Sequence, residues 1–420
     1  MDLKAFKGYS LQHFKRDLLS GIIVGIIAIP LGLGFAIASG TAPVTGIYTT
    51  IVAGLLIALL GGGRFQIGGP TGAFVPVLMG IISQFGYQNL LIAGFMAGIL
   101  LMILAVCKVG SLIHFFPHSV ITGFTAGIAV IIFTGQIVNF LGMHDIQQYQ
   151  YFHLNMQAIA INLHLVNPYS IITALICLLT ILVIPRFFPN APAYLLGMLV
   201  SSTISAFFYN GRVETIGSIY GNIPSGFPEF QLPALTLDKI ITLFPSAILI
   251  AVLAGLQSLL TSRVAADMTN FSHNNQKELI GQGVVNTVVP LFGGIPAAGE
   301  VARTVTNIRN GAHSPVAGMT HALVALSMLL LLAPYATHVA IASLAPVLMV
   351  VAWNISKRDQ FIHVVKARTG DSWILLVTFV LTFSTNLTLG IGAGLFLSFC
   401  IYLYKKRQER RSSKTEEIRL

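Results

Sequence analysis

The chain has 420 residues, 55% hydrophobic and only 9% charged, with a mean hydropathy of +0.81. An ordinary soluble domain carries roughly 25% charged residues, so the composition excludes a soluble protein and leaves no room for a large extramembrane domain. The formal net charge of +10 would point to nucleic acid in a soluble chain; in a membrane chain it is assigned to cytoplasmic loops, and no nucleic-acid partner is expected.

In chain order, the N-terminal stretch up to Gly21 is charged and aromatic, and no small-residue cleavage site precedes the first apolar run, so no removable signal peptide is expected. Fourteen apolar stretches follow, at about 17–39, 43–60, 71–85, 88–107, 119–141, 169–185, 192–208, 240–260, 280–292, 300–308, 313–333, 337–354, 371–386 and 388–404. Each is a candidate spanning helix. Those starting near Thr71 and near Glu300 are too short, or too broken by Gly and Pro, to cross as one regular helix, and they read as half-helices. The three cysteines, Cys107, Cys177 and Cys400, lie inside apolar runs without metal-ligand spacing. They are expected to be packing residues, with neither a disulfide framework nor a metal site.

An even span number puts both termini on one side, and the basic residues test that count. With both ends cytoplasmic, the outer loops hold only Arg212 and Lys239, Arg303 lies within the membrane, and the remaining 21 of the 24 Lys and Arg fall inside. The long outer segment 142–168 has no Lys or Arg. The expected fold is therefore an all-α membrane protein of 14 spans, with both termini cytoplasmic.

The two half-helices share a pattern. Gly68-Gly69-Pro70-Thr71-Gly72-Ala73 and Gly293-Gly294-Ile295-Pro296-Ala297-Ala298-Gly299-Glu300 both run Gly-Gly, Pro, then small residues, in corresponding places of the two halves. Each is the third span of seven, and an odd span number inverts one repeat relative to the other. This predicts repeats over 1–235 and 236–404, followed by a basic cytoplasmic tail at 405–420, with the two half-helices meeting at the midplane.

A helix that begins inside the membrane leaves its first N–H groups unpaired at the positive end of its dipole. Two such ends facing each other make an anion site. Gly72, Ala73, Ala298 and Gly299 are small enough to let a ligand reach the backbone, and the Thr71 hydroxyl adds a donor. The alternative is that these glycines serve helix packing. Glu300 and Arg303 are the ionisable residues that fall clearly within a span. They share a helix face: either they neutralise each other as a structural ion pair, or Arg303 supplies field to the anion while Glu300 acts as a gate or proton carrier. His321 reads as a satisfied packing residue. No HExxH, P-loop or dinucleotide pattern is present, no cofactor is expected, and a single Glu and Arg argue against a membrane enzyme.

These same residues carry a family resemblance. Gly281-Gln282-Gly283, Pro290 to Pro296 and Ala302-Arg303-Thr304-Val305-Thr306-Asn307 resemble the signature of the SulP anion transporters, the sulfate permease family. Ala42-Pro43, Gly46-Ile47-Tyr48, Gly69 to Gly72, Ile223 to Gly226 and Ser258-Leu259-Leu260 match it as well. The resemblance implies a core domain of spans 1–4 and 8–11, a gate domain of spans 5–7 and 12–14, elevator-like transport and a homodimer in the bilayer, here the bacterial inner membrane. The pocket it implies takes Phe35, Thr71, Gly72 and Ala73, with the backbone around Glu300, Val301 and Ala302 and with Arg303 behind. Sulfate is the default cargo; bicarbonate, chloride and dicarboxylates are alternatives.

Three departures from the family stand out. Gln257 replaces the acid that many prokaryotic relatives carry in span eight for proton or sodium coupling, so coupling through Gln257 and Thr261 is expected to be weak or absent. Glu300 stands where a small residue is usual, which leaves proton coupling open there. Where the family usually continues into a STAS domain, only the tail beginning Lys405-Lys406-Arg407 follows. Rival readings are an uncoupled anion channel and a nucleobase permease of the same architecture.

Overall fold

In the computed structural model, the described residues are 8–108, 117–143, 146, 152–188, 191–269, 271, 273–385 and 387–417; side chains at 388 and from 404 onward lie outside the description. The first seven helices are α1 (Leu11–Ala38), α2 (Pro43–Leu60), α3 (Val75–Phe85), α4 (Tyr87–Val106), α5 (His118–Leu141), α6 (Phe152–Ile161) and α7 (Pro168–Phe187). They are followed by α8 (Ala193–Phe208), α9 (Ile216–Tyr220), α10 (Leu237–Thr269), α11 (Asn275–Val288) and α12 (Val301–Arg309). The chain ends with α13 (Val316–Ala336), α14 (Ile341–Ile355), α15 (Arg358–Lys366), α16 (Gly370–Ser384) and α17 (Leu387–Glu417).

Seven of these helices are long and apolar enough to cross a membrane, and four shorter apolar segments join them at Gly72–Phe85, Ala193–Phe208, Gly370–Ser384 and Leu389–Leu403. With α11, α12 and α14, these make the fourteen spans of two inverted seven-span repeats. The predicted span at 337–354 corresponds to α14, and that at 388–404 to α17, which continues through the basic segment to Glu417. Three short helices lie outside the span pattern. Helix α6 occupies the long 142–168 segment, α9 follows α8, and α15 joins α14 to α16 as an amphipathic stretch with none of its residues buried.

The repeats interleave. Helix α1 packs on α2 and α13, and α4 on α10 and α11; a second set forms where α5 packs on α14 and α16, and α7 on α8. Lipid offers no hydrophobic drive between helices, so contact depends on close backbone approach at small residues. A Cβ on Gly46 would stand 2.0 Å from the Gly32 carbonyl oxygen, and one on Gly98 would stand 2.3 Å from Thr287 Oγ1. These crossings are closed to any larger residue.

Of the cysteines, Cys177 is packed as expected, its Sγ donating to the Ser343 carbonyl. Cys107 and Cys400 are exposed instead: Cys107 caps the C-terminal end of α4, and Cys400 lies on α17. His321 is fully buried, yet among the described residues neither ring nitrogen has a hydrogen-bond partner; the ring packs against the bare backbone of Gly54. It is a packing residue, but not a satisfied one.

Candidate functional site

The defining feature is a short antiparallel pairing between the two broken segments. Strand β1 (Gly68–Gly69) pairs with β2 (Ala298–Gly299) in the register Gly68↔Gly299 and Gly69↔Ala298. A non-helical backbone at membrane depth must be satisfied internally, and here it is. Glu300 N donates to the Ile67 carbonyl at 2.9 Å, and Ile67 N donates to Thr304 Oγ1 at 3.0 Å. Gly299 N donates to Ser258 Oγ at 2.8 Å, while the Gly299 carbonyl accepts from Thr261 Oγ1 at 3.0 Å. Upstream, Asn286 brackets Ala297 from both sides, its Oδ1 accepting from the amide and its Nδ2 donating to the carbonyl. Thr49 treats Ile295 likewise.

From this seam two helix starts emerge. On the first, Thr71 is the N-cap: its Oγ1 accepts from Ala73 N at 3.1 Å, and a single 3-10 turn, Gly72–Phe74, leads into α3. On the second, Glu300 is the N-cap of α12, and its Oε2 accepts from Arg303 N at 2.6 Å. The same Oε2 lies 3.5 Å from Arg303 Nε, an ion-pair distance. The Arg303 guanidinium is buried; it lies flat on Gly69 and donates through Nη2 to the Pro70 carbonyl. Among the described residues, its Nε and Nη1 have no hydrogen-bond partner. Arg303 therefore reaches from the second half-helix onto the start of the first.

Phe35, Thr71, Gly72, Ala73 and Ala298 to Arg303 are thus gathered around one seam. A Cβ on Gly72 would meet Phe35 at 3.2 Å, and also Ile355 at 3.0 Å and Ile132 at 3.3 Å. Ala73 and Gln257 line a small cavity of about 30 Å³ shared with Val120, Phe124 and Ile391. Ala298 and Gly299 play a different part from that expected: they are buried, and their backbone is taken up by β pairing, Ser258 and Thr261. Ala302, by contrast, is exposed and Val301 half-buried.

Some elements were not singled out in the sequence. Asn286 and Thr49 satisfy the seam with no sequence signal beyond a small polar side chain inside an apolar span; Ser258 and Thr304 join them, residues that belong to the family pattern but carry no sign there of pairing with the seam. Ile132, Ile355 and Tyr194 close over it from α5, α14 and α8, with Tyr194 within electrostatic reach of Glu300 and Asn354 Nδ2 3.4 Å from its hydroxyl. Glu278 is a further buried carboxylate; it accepts from Gly62 N at 2.8 Å and from Gln66 Nε2 at 2.7 Å, which ties the approach to β1 onto α11.

Two inverted repeats whose half-helices meet at a buried seam are an architecture of membrane transporters. Comparison with known proteins agrees: the model of the sulfate permease family matches residues 14–378. The chain belongs to the sulfate permease family of anion transporters and is not an enzyme. It is 51% identical over 411 residues to the putative sulfate transporter YvdB of Bacillus subtilis, covering 98% of this chain and 78% of that protein. The solved transmembrane domain of a cyanobacterial bicarbonate transporter, BicA, superposes with a TM-score of 0.79 at 27% identity, covering 93% of this chain and 98% of that one. Murine Slc26a9, described as an anion transporter in the inward-facing state, shares the fold with a TM-score of 0.85 at 20% identity, over 96% of this chain and 70% of that one.

Proposed function

We propose that the chain is a secondary active transporter of small anions, of the sulfate and bicarbonate class, and that it binds them between the half-helix starts at Thr71 and Glu300. The observation that carries this reading is the β1–β2 seam, which holds two amide-rich helix starts together with the Arg303 guanidinium behind them. Gly72, Ala73, Val301 and Ala302 put no large side chain between a ligand and the backbone, Phe35 bounds the site beside Gly72, and Arg303 adds a fixed positive charge. In this reading the α1–α4 and α10–α13 unit moves as the core against α5, α7, α8, α14, α16 and α17, within a homodimer in the bacterial inner membrane, both termini being cytoplasmic.

Gln257 offers a cation only a neutral amide, so in this reading sodium coupling through Gln257 and Thr261 is weak or absent. Glu300 remains as the group through which a proton can be coupled. The test is uptake of labelled sulfate, bicarbonate and fumarate into proteoliposomes under imposed pH and sodium gradients. Saturable, uphill accumulation of an anion supports a transporter. Flux that never saturates and only follows the gradient would make the protein a channel.

A further inference from the structure

Glu300 occupies a position that an anion would otherwise take. The amide of Arg303, at the third position of the nine-residue α12, is one of the donors that a helix start offers a ligand, and the chain's own carboxylate already accepts from it at 2.6 Å. The corresponding place on the first half-helix is held by the neutral hydroxyl of Thr71. Meanwhile, among the described residues, Arg303 Nη1 is buried without a hydrogen-bond partner, and Nε has only its 3.5 Å ion-pair contact with Glu300. Such donors are costly to leave unmade, so the site holds an internal anion and spare donors side by side.

The formal charge around the seam follows from the buried ionisable groups. Among the described residues these are Asp17, Glu278, Glu300, Arg303 and His321. Asp17 is engaged by Tyr9, His313 and Ser314, and Glu278 by Gly62 and Gln66. His321 is fully buried with no partner on either ring nitrogen among the described residues, and an unpaired charge there would be prohibitive, so its ring is neutral. Tyr194 and Asn354, facing Glu300 from α8 and α14, are uncharged. Arg303 and Glu300, the pair on the second half-helix, cancel each other; Asp17 and Glu278 lie outside that pair, held by neutral donors that leave their charge uncancelled.

We infer that Glu300 is a tethered competitor that makes this site select singly charged anions over doubly charged ones. The inference rests on the anion lying between the two half-helix starts. An incoming anion takes the Arg303 amide and the spare guanidinium donors, and the carboxylate turns aside toward Tyr194 and Asn354. It stays close enough to repel the ligand. Coulombic repulsion is proportional to ligand charge, so a dianion meets twice the penalty of a monoanion, and its affinity falls by the square of the factor.

The experiment measures binding of chloride, bicarbonate and sulfate by calorimetry at one neutral pH, in the full chain and in Glu300→Gln, which keeps the side chain's size and an oxygen to cap Arg303 N. Glu300→Ala serves as a second variant, and Gly72→Val as a site control. The parent should prefer the monoanions to sulfate by at least about tenfold, and Glu300→Gln should tighten the monoanions about tenfold and sulfate about a hundredfold. A parent that binds sulfate as tightly as bicarbonate overturns the inference. So do equal fold-changes for both charge classes in the Gln and Ala variants. If Gly72→Val abolishes all binding while the Glu300 variants fail to discriminate by charge, the site stands and the role of Glu300 falls. If Gly72→Val binds every anion as the parent does, the site itself is misplaced.

Discussion

The first and second half-helices start from the same backbone device and finish it with opposite chemistry. Both follow a Gly-Gly and Pro segment, both pair through the two-residue seam, and both carry a side-chain cap at the first turn. The first leads into α3, eleven residues without a charge, capped by a hydroxyl. The second leads into α12, nine residues capped by a carboxylate and carrying Arg303 and Arg309. The inverted repeat therefore conserves where the amides point, while the electrostatics are concentrated in one copy. A ligand at the proposed site between them would meet a neutral wall on one side and a charged, self-occupied wall on the other.

The largest effect should come from blocking either wall. Gly72→Val pushes a branched side chain into Phe35, Ile132 and Ile355, and Ala298→Trp overfills a fully buried position in the seam. Both should abolish anion binding in calorimetry. The thermal transition should survive in Gly72→Val and fall further in Ala298→Trp, because overpacking costs about 1–3 kcal/mol or more. Anion binding that survives both replacements would move the site elsewhere.

Next comes the charged wall alone. Arg303→Ala leaves a buried carboxylate without its partner, a loss of about 3–5 kcal/mol. Affinity and stability should therefore fall more steeply in the parent than in a Glu300→Gln background, where no carboxylate is left. A double-mutant cycle with no coupling between the two positions would refute their pairing.

The two caps offer a finer contrast. Thr71→Ala should loosen the start of α3 by about 1 kcal/mol and weaken anion binding, whereas Glu300→Ala, at the equivalent position, should strengthen it. Titrations of the same anion that shift in the same direction for both variants would remove the asymmetry. Sodium should matter little: replacing sodium with choline is expected to leave uptake unchanged in the parent, and Gln257→Asp is the variant in which cation dependence should emerge.

The smallest effect lies at the exit of the second half-helix, outside the spans. There His313 stacks on His13 with ring centroids 3.9 Å apart, and Asp17 accepts from the His313 and Ser314 amides. Burial first, then the neighbouring His13 ring, holds the His313 imidazole below its ordinary value. The unfolded chain therefore takes the proton first. Stability contributed here is complete above the ordinary imidazole range and is lost as pH falls through it. His313→Asn should flatten that acid-side decline in thermal midpoint by about 1–2 °C, as read by a pH series of melting curves.

Much of the architecture was legible because membrane burial leaves few ways to place a charge or break a helix. Gly68–Pro70 and Gly293–Pro296 could be matched as a repeated interruption, and Glu300 and Arg303 stood out against an apolar background. What the sequence concealed is how each interruption is satisfied. Nothing in Ala298-Gly299 distinguishes a free amide from one committed to a strand, and that commitment depends on Ser258 and Thr261 from another span. Ile132 and Ile355 carry no signal at all, since isoleucines occur throughout the spans and only three-dimensional placement aims these two at Gly72. Helix α15 escaped notice for the reverse reason: a nine-residue amphipathic stretch with none of its residues buried leaves only a weak hydropathy trace.

The seam also constrains how the protein is made. Arg303 and Pro70 are separated by 233 residues, and the strands beside them come from opposite halves of the chain. While a ribosome has delivered only the first half, Gly68 and Gly69 lack the partners that satisfy their backbone, and the bilayer core supplies no water in their place. The first broken helix must therefore wait, incompletely seated, until the second has been inserted in the opposite sense. A chain halted after residue 235 should leave that segment open to protease and to amide exchange, and co-expressing the missing half should close it.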